Sequence, residues 1–95
     1  MDGILPKSIT LLGKKFKVVP FDSNHMGMMD YEASTIYYNP KLNTSNRLLL
    51  ITFWHEIWHA FHYRLGLHQT LSPEMLEVLA ETQAELIVEF FYGLK

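Results

Sequence analysis

Two histidines and a glutamate stand together in the run His55-Glu56-Ile57-Trp58-His59. In a helix, residues four apart lie on one face and one turn apart, so the two imidazoles of this run are neighbours. Two neutral imidazoles in that arrangement bind one zinc ion and leave room for a third ligand and a water molecule. Glu56 lies beside them as a base for that water rather than as a ligand. These five residues supply most of a metal-dependent hydrolase site.

The residues around this motif predict a buried helix. The chain from Leu48 to Leu65 is largely apolar and contains neither proline nor glycine, and Gly66 follows as a stop signal. Polar side chains in a buried helix are costly unless they are paired or bound to a metal, which favours a metal site. The alternative is a helix whose polar residues satisfy one another without a metal.

Two helices are expected in the second half of the chain. The first begins after a cap at Thr44 or Ser45 and runs to about Leu65. The second begins at Ser72-Pro73-Glu74, a typical helix start, and ends near Tyr92. Residues at helical spacing are expected to pack against the first helix. They are Leu76, Leu79, Ala80, Gln83, Ile87 and Phe90.

The second helix is expected to supply the third metal ligand. Five glutamates flank its apolar stripe, and Glu77 lies nearest the centre of the stripe at about 100° per residue. The small residues Ala80 and Ala84 would let the two helices approach closely. We therefore predict Glu77 as the third ligand, with Glu81 and then Glu74 as alternatives.

The other histidines do not fit the same ion. His62 shares the helical face of His55, but seven residues correspond to about 10.5 Å along a helix. Zinc–nitrogen bonds are only about 2.0–2.1 Å long, so His62 is expected to line the cleft or to pair with a tyrosine or a glutamate. His25 and His68 are expected in loops.

The first forty residues predict β structure. Ser8–Leu12 and Phe16–Pro20 are expected as strands joined by a hairpin turn at Gly13-Lys14-Lys15. Residues 22–29 are expected to form a loop, and Ser34–Tyr38 a third strand. With the two helices, this gives an α+β fold, in which a short antiparallel sheet of about three strands precedes two long packed helices.

Composition limits the class of the protein. The 95 residues suit one domain, residues 1–95, and a net charge of −2 favours neither nucleic acid nor an anionic membrane as partner. Cysteine is absent, which leaves histidine and carboxylate side chains as metal ligands. The sequence MDGILPKSIT is unlike a signal peptide, and no apolar run is long enough to span a bilayer. We expect a soluble, cytoplasmic protein.

The order of these segments resembles the small zincin metallopeptidases of phages and mobile elements and, more distantly, the ImmA/IrrE-type peptidases. The segments that carry the resemblance are Tyr31–Asn39, His55–Ala60, Leu65–Leu67, and Glu77 with Ala80 and Ala84. The metzincin branch is excluded, because His62 and Leu65 stand where that branch needs glycine and histidine. The ImmA/IrrE-type ending Leu-Met-Pro is also absent, and Phe90-Phe91-Tyr92 stands in its place.

The resemblance implies zinc-dependent hydrolysis of a peptide or protein substrate, with Glu56 as general base. The strand Ser34–Tyr38 is expected to be the sheet edge on which an extended substrate adds as a further strand. Tyr37 or Tyr38 is a candidate for stabilising the oxyanion, although a tyrosine on a strand more often packs. Trp54 and Trp58 are expected in the core or in the cleft wall.

Two other classes of function stay open at this point. One is a zincin-like regulatory or interaction module that binds zinc without cutting a substrate. The other is a helical interaction protein in which the histidine-glutamate motif is incidental. The sequence leaves the oligomeric state and the substrate open.

Overall fold

The fold is α+β, as predicted. A computed structural model describes residues 4–94. Residues 1–3 and 95 of the predicted domain lie outside the described residues, and so does the start of the amino-terminal segment that was compared with a signal peptide. The strands are β1 (Ser8–Leu11), β2 (Lys14–Pro20), β3 (Gly27–Asp30) and β4 (Thr35–Tyr38). The helices are α1 (Asn46–Arg64) and α2 (Pro73–Tyr92), with a short 3-10 turn at Leu67–Gln69 between them.

The predicted hairpin is confirmed, with its turn one position earlier than expected. Strands β1 and β2 pair antiparallel, and Leu11 lies opposite Lys14. The two turn residues are therefore Leu12 and Gly13, whose φ angles are +47° and +87°. Two-residue hairpin turns with positive φ match the twist of the strands they join, and glycine adopts that conformation at little cost.

The sheet has four strands rather than three, and its strand order is β1-β2-β4-β3. The prediction of a purely antiparallel sheet is wrong, because β2 pairs with β4 in parallel. The additional strand β3 lies in the segment predicted as a loop and pairs antiparallel with β4. Its sequence, Gly-Met-Met-Asp, contains none of the β-branched or aromatic residues that mark strands. Strand β4 is therefore interior, and the prediction of Ser34–Tyr38 as the substrate edge is wrong.

Both helices begin and end where their capping residues predict. The hydroxyl of Ser45 accepts a hydrogen bond from the backbone N–H of Leu48 at 3.1 Å. The hydroxyl of Ser72 accepts one from Met75 at 3.2 Å. Gly66 and Gly93 follow the helices with φ angles of +79° and +68°. Within the part of the chain that is described, neither helix has the length and apolar character needed to cross a membrane.

Helix α1 lies at the centre of the fold, between the sheet and α2. Its buried side chains form one core with the inner face of the sheet. Helix α2 contributes Ala80, Ala84 and Val88, which are fully buried and small enough to let the helices approach closely. The predicted core stripe is therefore wrong at its end, because Phe90 is 77% exposed. The closest approach of the helices is centred on the small residues and not on the larger ones.

A buried polar network fastens the start of β3 to α1. The Asn43 side chain donates to the carbonyl of Met26 at 3.1 Å and to that of Asn39 at 2.7 Å. Its carbonyl oxygen accepts a 2.7 Å hydrogen bond from the hydroxyl of Thr52 on α1. The amide of Asn39 in turn donates to the carbonyl of Ser23 at 2.6 Å. Because each of these buried amides has partners, the network is stabilising and sets the distance between β3 and the helix.

Gly27 is required by this close approach. A Cβ atom at this position would lie 2.6 Å from Cγ2 of Thr52 and 3.3 Å from Cγ of Glu56. We expect Gly27→Ala to lower the free energy of unfolding by about 1–3 kcal/mol, as overpacking does in other cores. Thr52→Ser removes Cγ2 but keeps the hydroxyl, so Gly27→Ala/Thr52→Ser should recover part of the loss in urea unfolding. A double variant no more stable than Gly27→Ala would show that Thr52 is not the obstacle.

Candidate metal centre

The two helices bring His55, His59 and Glu77 together. The Nε2 atoms of the two histidines lie 3.0 Å apart. The Glu77 carboxylate lies 3.2 Å from His55 Nε2 through one oxygen and 2.7 Å from His59 Nε2 through the other. The motif places both histidines on one face of α1, and α2 runs alongside with Glu77 one turn after its start. Three potential ligand atoms therefore converge on one point.

The size of this cluster fits a metal ion. With bonds of about 2.0–2.1 Å and tetrahedral angles, the ligand atoms of a zinc ion are separated by about 3.3 Å. The observed separations of 2.7–3.2 Å are slightly shorter, so the ligands would move apart by about half an ångström or less to take an ion. Among residues 4–94, this is the one group of three or more histidine and acidic side chains with suitable spacing. The group can hold a metal ion.

Glu81 stands behind His55 instead of joining the cluster. Its carboxylate lies 2.8 Å from Nδ1 of His55, on the opposite side of the imidazole from Nε2. Because an ionised carboxylate only accepts hydrogen bonds, Nδ1 is the protonated nitrogen in a neutral ring, and the lone pair of Nε2 points to the cluster. Carboxylates in this position fix the orientation of metal-binding histidines and raise their basicity. The arrangement suits Glu81 as an orienting partner and not as the ligand.

Burial next to His55 keeps His59 in its metal-binding form. Burial is the largest cause that lowers the pKa of His59, and the neighbouring His55 lowers it further, against the opposing effect of Glu77. A lowered pKa favours the neutral imidazole near neutral pH. Only the neutral form offers a lone pair to a metal. Because the lowered pKa already favours this form, His59 releases fewer protons on metal binding than an imidazole of ordinary pKa would.

Glu56 is the buried acid of the site. Burial raises its pKa to about 7; the neighbouring His55 lowers the pKa, and Glu77 raises it. The attraction of His55 favours the ionised form of Glu56, but burial outweighs it. A carboxylate that exchanges its proton near neutral pH is suited to act as a general base and then as an acid.

The raised pKa makes the stability of the metal-free protein depend on pH. The folded state holds the Glu56 proton more tightly than the unfolded chain, so this stabilisation is present below about pH 4.5 and is lost as the pH rises through about 7. Glu56→Gln keeps the shape but cannot ionise. We expect it to raise the free energy of unfolding by up to about 3 kcal/mol at pH 8, with little change at pH 4. Urea unfolding of chelator-treated protein at both pH values measures this, and an equal effect at both would contradict it.

Two cavities flank the cluster and meet at it. One, of about 380 Å³, lies on the His59 side, and the other, of about 340 Å³, lies on the His55 side. Gly27, Glu56 and Glu77 line both of them. Gly27, the first residue of the edge strand β3, therefore lies on the wall of the cavities that faces the cluster. A groove with the metal cluster near its middle runs between β3 and the two helices.

Other residues singled out in the sequence lie around this site or away from it. His62 is buried, lies outside the cluster and lines the His59-side cavity, as predicted, but its Nε2 pairs with Oε1 of Gln83 at 2.9 Å and not with a tyrosine or a glutamate. His25 lines the His55-side cavity. His68 lines the His59-side cavity and stacks on Tyr63 with a ring separation of 3.9 Å. Glu74, the last alternative ligand, does not join the cluster.

The aromatic candidates lie away from the site. Tyr37 packs on Phe21 at a ring separation of 5.2 Å, and Tyr38 packs on the core. Neither lines the two cavities, which contradicts the hypothesis that they stabilise the oxyanion. Trp54 and Trp58 pack on the core, as expected.

Two site features were missed in the sequence. The strand β3 has no recognisable strand pattern, and the contribution of Gly27 arises from its approach to α1. The methionine-rich composition of residues 26–29 was the one local sign that this segment is not an ordinary polar loop.

Comparison of the chain with protein-family models, with curated proteins and with solved structures finds no match.

Proposed function

We propose that this chain is a zinc-dependent metallopeptidase. In this proposal His55, His59 and Glu77 bind the zinc ion, and Glu56 is the general base. The observation that carries the proposal is the convergence of the two imidazole nitrogens, 3.0 Å apart, with the Glu77 carboxylate, which lies 3.2 Å from one and 2.7 Å from the other, beside a buried carboxylate that lines an open groove. The motif alone supplies the histidines and the base, whereas the fold adds the third ligand and the groove.

The donor set favours zinc over other common ions. Two imidazoles and one carboxylate, with a position left for water, form a known set of catalytic zinc ligands. Magnesium and calcium prefer six or more oxygen ligands, which this site does not offer. A zinc ion bound here supplies Lewis acidity, which polarises a peptide carbonyl and lowers the pKa of water toward about 7.

Side chains of this protein carry out proton transfer and hold the metal ligands in orientation. Glu56 accepts the proton of the attacking water and then delivers it to the leaving amine, a sequence that its pKa near 7 suits. Glu81 keeps the His55 ring in its binding orientation. The two cavities on either side of the cluster accommodate the residues that flank the scissile bond.

The substrate is an extended peptide or a flexible segment of a protein, and β3 is the strand on which it docks. Among residues 4–94, strand β3 pairs with β4 alone and forms an edge of the sheet, where a further strand can add. Gly27 packs against Thr52 and Glu56 of α1 and lines both cavities, so a peptide docked on β3 would run beside the general base. This replaces the earlier assignment of the docking edge to Ser34–Tyr38.

Metal analysis and a cleavage screen test the proposal. Protein purified without added metal should contain about one zinc per chain, and His59→Ala should lose it. A mixed peptide library incubated with the protein should yield products that disappear after chelation and return with zinc. Zinc at one per chain without any cleavage would favour the alternative, a zinc-binding regulatory or interaction module. Absence of zinc binding would exclude both.

A further inference from the structure

A second surface, on the flank of α2 that faces away from the candidate metal site, is strongly apolar. Phe90 and Phe91 are 77% and 72% exposed, and Tyr92 is 45% exposed. We call Phe90 and Phe91, together with the exposed Met75 and Leu86, the aromatic patch. At about 100° per residue, Met75, Leu86 and Phe90 lie within about 60° of one another around the helix. They form one stripe along a single flank of α2.

The aromatic patch has no charged member, whereas the opposite flank of the same helix is acidic. The five glutamates of α2 lie on the side of the helix that includes Glu77 and Glu81 in the metal cluster. The two flanks therefore have different chemistry. An acidic, net negative chain with an uncharged apolar flank is poorly suited to an anionic membrane, but two copies can bring their uncharged flanks together without opposing their glutamates.

The patch contains both a projection and a hollow. Phe90 projects from the helix, and next to it lies a cavity of about 380 Å³ lined by Trp54, Ile87, Phe91 and Tyr92. The only hydrogen bond among these residues joins the indole N–H of Trp54 to the Tyr92 hydroxyl at 3.2 Å, so the hollow accepts an apolar group. When two copies are related by a two-fold axis, the projecting ring of each copy can enter the apolar hollow of the other.

The exposed area of the patch is also close to what a dimer needs. Taking about 200 Å² for a whole aromatic side chain, the exposed parts of Phe90 and Phe91, whose rings lie 5.2 Å apart, amount to roughly 300 Å². Leu86 and Met75, which are 61% and 52% exposed, enlarge this area. A stable interface buries about 800 Å² per partner, of which about 65% is apolar in homodimers. The patch therefore matches the apolar part of a standard interface.

From these observations we propose that the chain forms a two-fold symmetric homodimer through the aromatic patch, with Phe90 of each copy seated in the hollow beside Trp54 of the other. The interface lies on the flank of α2 that faces away from Glu77 and Glu81. Dimerisation therefore leaves the metal groove open in both copies. The proposal does not depend on metal binding or on peptidase activity.

Light scattering after size-exclusion chromatography tests the proposal, because the monomer mass is 11.1 kDa. The wild-type chain should have twice this mass at high concentration and return to the monomer mass on dilution. Phe90→Lys should be monomeric at the concentrations where the wild type is dimeric. Circular dichroism should show unchanged helix content, because Phe90 is largely exposed and contributes little to the core.

Val78→Lys is the matched control. Val78 is 60% exposed on the same helix, but it lies on the acidic flank, so the same substitution there should leave the dimer intact. A wild type that is monomeric at every concentration would overturn the proposal. So would a dimer that Phe90→Lys does not weaken, or one that Val78→Lys weakens equally. Assembly beyond two copies would overturn the two-fold arrangement.

Discussion

Glu56→Gln should lower the rate of peptide hydrolysis by about 10²- to 10⁴-fold, the usual contribution of a general base. Glutamine has nearly the same shape but cannot accept the proton of the attacking water. Because Glu56 is not among the three converging ligand atoms, the variant should retain about one zinc per chain. Cleavage of a peptide found in the library screen, followed together with zinc content, measures both results.

Glu85→Gln is the control for this experiment. Glu85 is an exposed glutamate of α2 outside the metal cluster, so its amide variant should cleave at the wild-type rate. Wild-type cleavage by Glu56→Gln would remove Glu56 from the role of base. Loss of zinc from the same variant would indicate that its carboxylate takes part in binding the ion.

Substitution of the neighbouring glutamates Glu77 and Glu81 of α2 is expected to lower the affinity for zinc. Glu77→Gln removes the only anionic member of the ligand cluster, whereas Glu81→Gln removes the partner that orients His55. Loss of an orienting partner lowers metal affinity by about 10- to 100-fold. We expect Glu81→Gln to fall within that range and Glu77→Gln to lose more. Competition with a zinc-binding dye measures both dissociation constants.

These variants are matched, because each replaces one exposed carboxylate of the same helix with its amide, one turn apart. A general loss of negative charge near the ion would weaken both equally, so equal losses would contradict the separate roles. A greater loss in Glu81→Gln would make Glu81 the ligand and reverse the assignment. Melting temperature with added zinc gives an independent readout, because a ligand that binds only the folded state stabilises it.

The helical half of the fold could be predicted from local signals. Ser45, Gly66 and Ser72 cap or end the helices where expected, and the histidine-glutamate motif fixes which face of α1 carries the chemistry. Glu77 could be favoured because a long helix presents its residues at a regular angle. Its distance from the histidines could not be predicted, because it depends on how closely Ala80 and Ala84 let α2 approach.

The sheet could be predicted less well, because strand pairing is not local. Strands β2 and β4 pair in parallel although residues 21–34 separate them in the chain. That connection contains β3, which pairs with the side of β4 opposite to β2. The two methionines of β3 distinguish it from a polar loop, but no β-branched or aromatic residue marks it as a strand. The position of this strand is stabilised by Asn43 and Thr52, which lie far from it in the chain.

All members of the metal cluster, its base and its orienting carboxylate belong to α1 and α2, which residues 65–72 connect, whereas the sheet contributes only the wall of the groove. In the proposed function, metal binding and substrate selection therefore depend on separate stretches of the chain. Substitutions at Met28 and Met29, which line the His59-side cavity, would change what enters the groove without touching the three candidate ligands, whereas Gly27 must be kept. For protein engineering, the helical hairpin is a constant module, and the segment before it is the place to randomise.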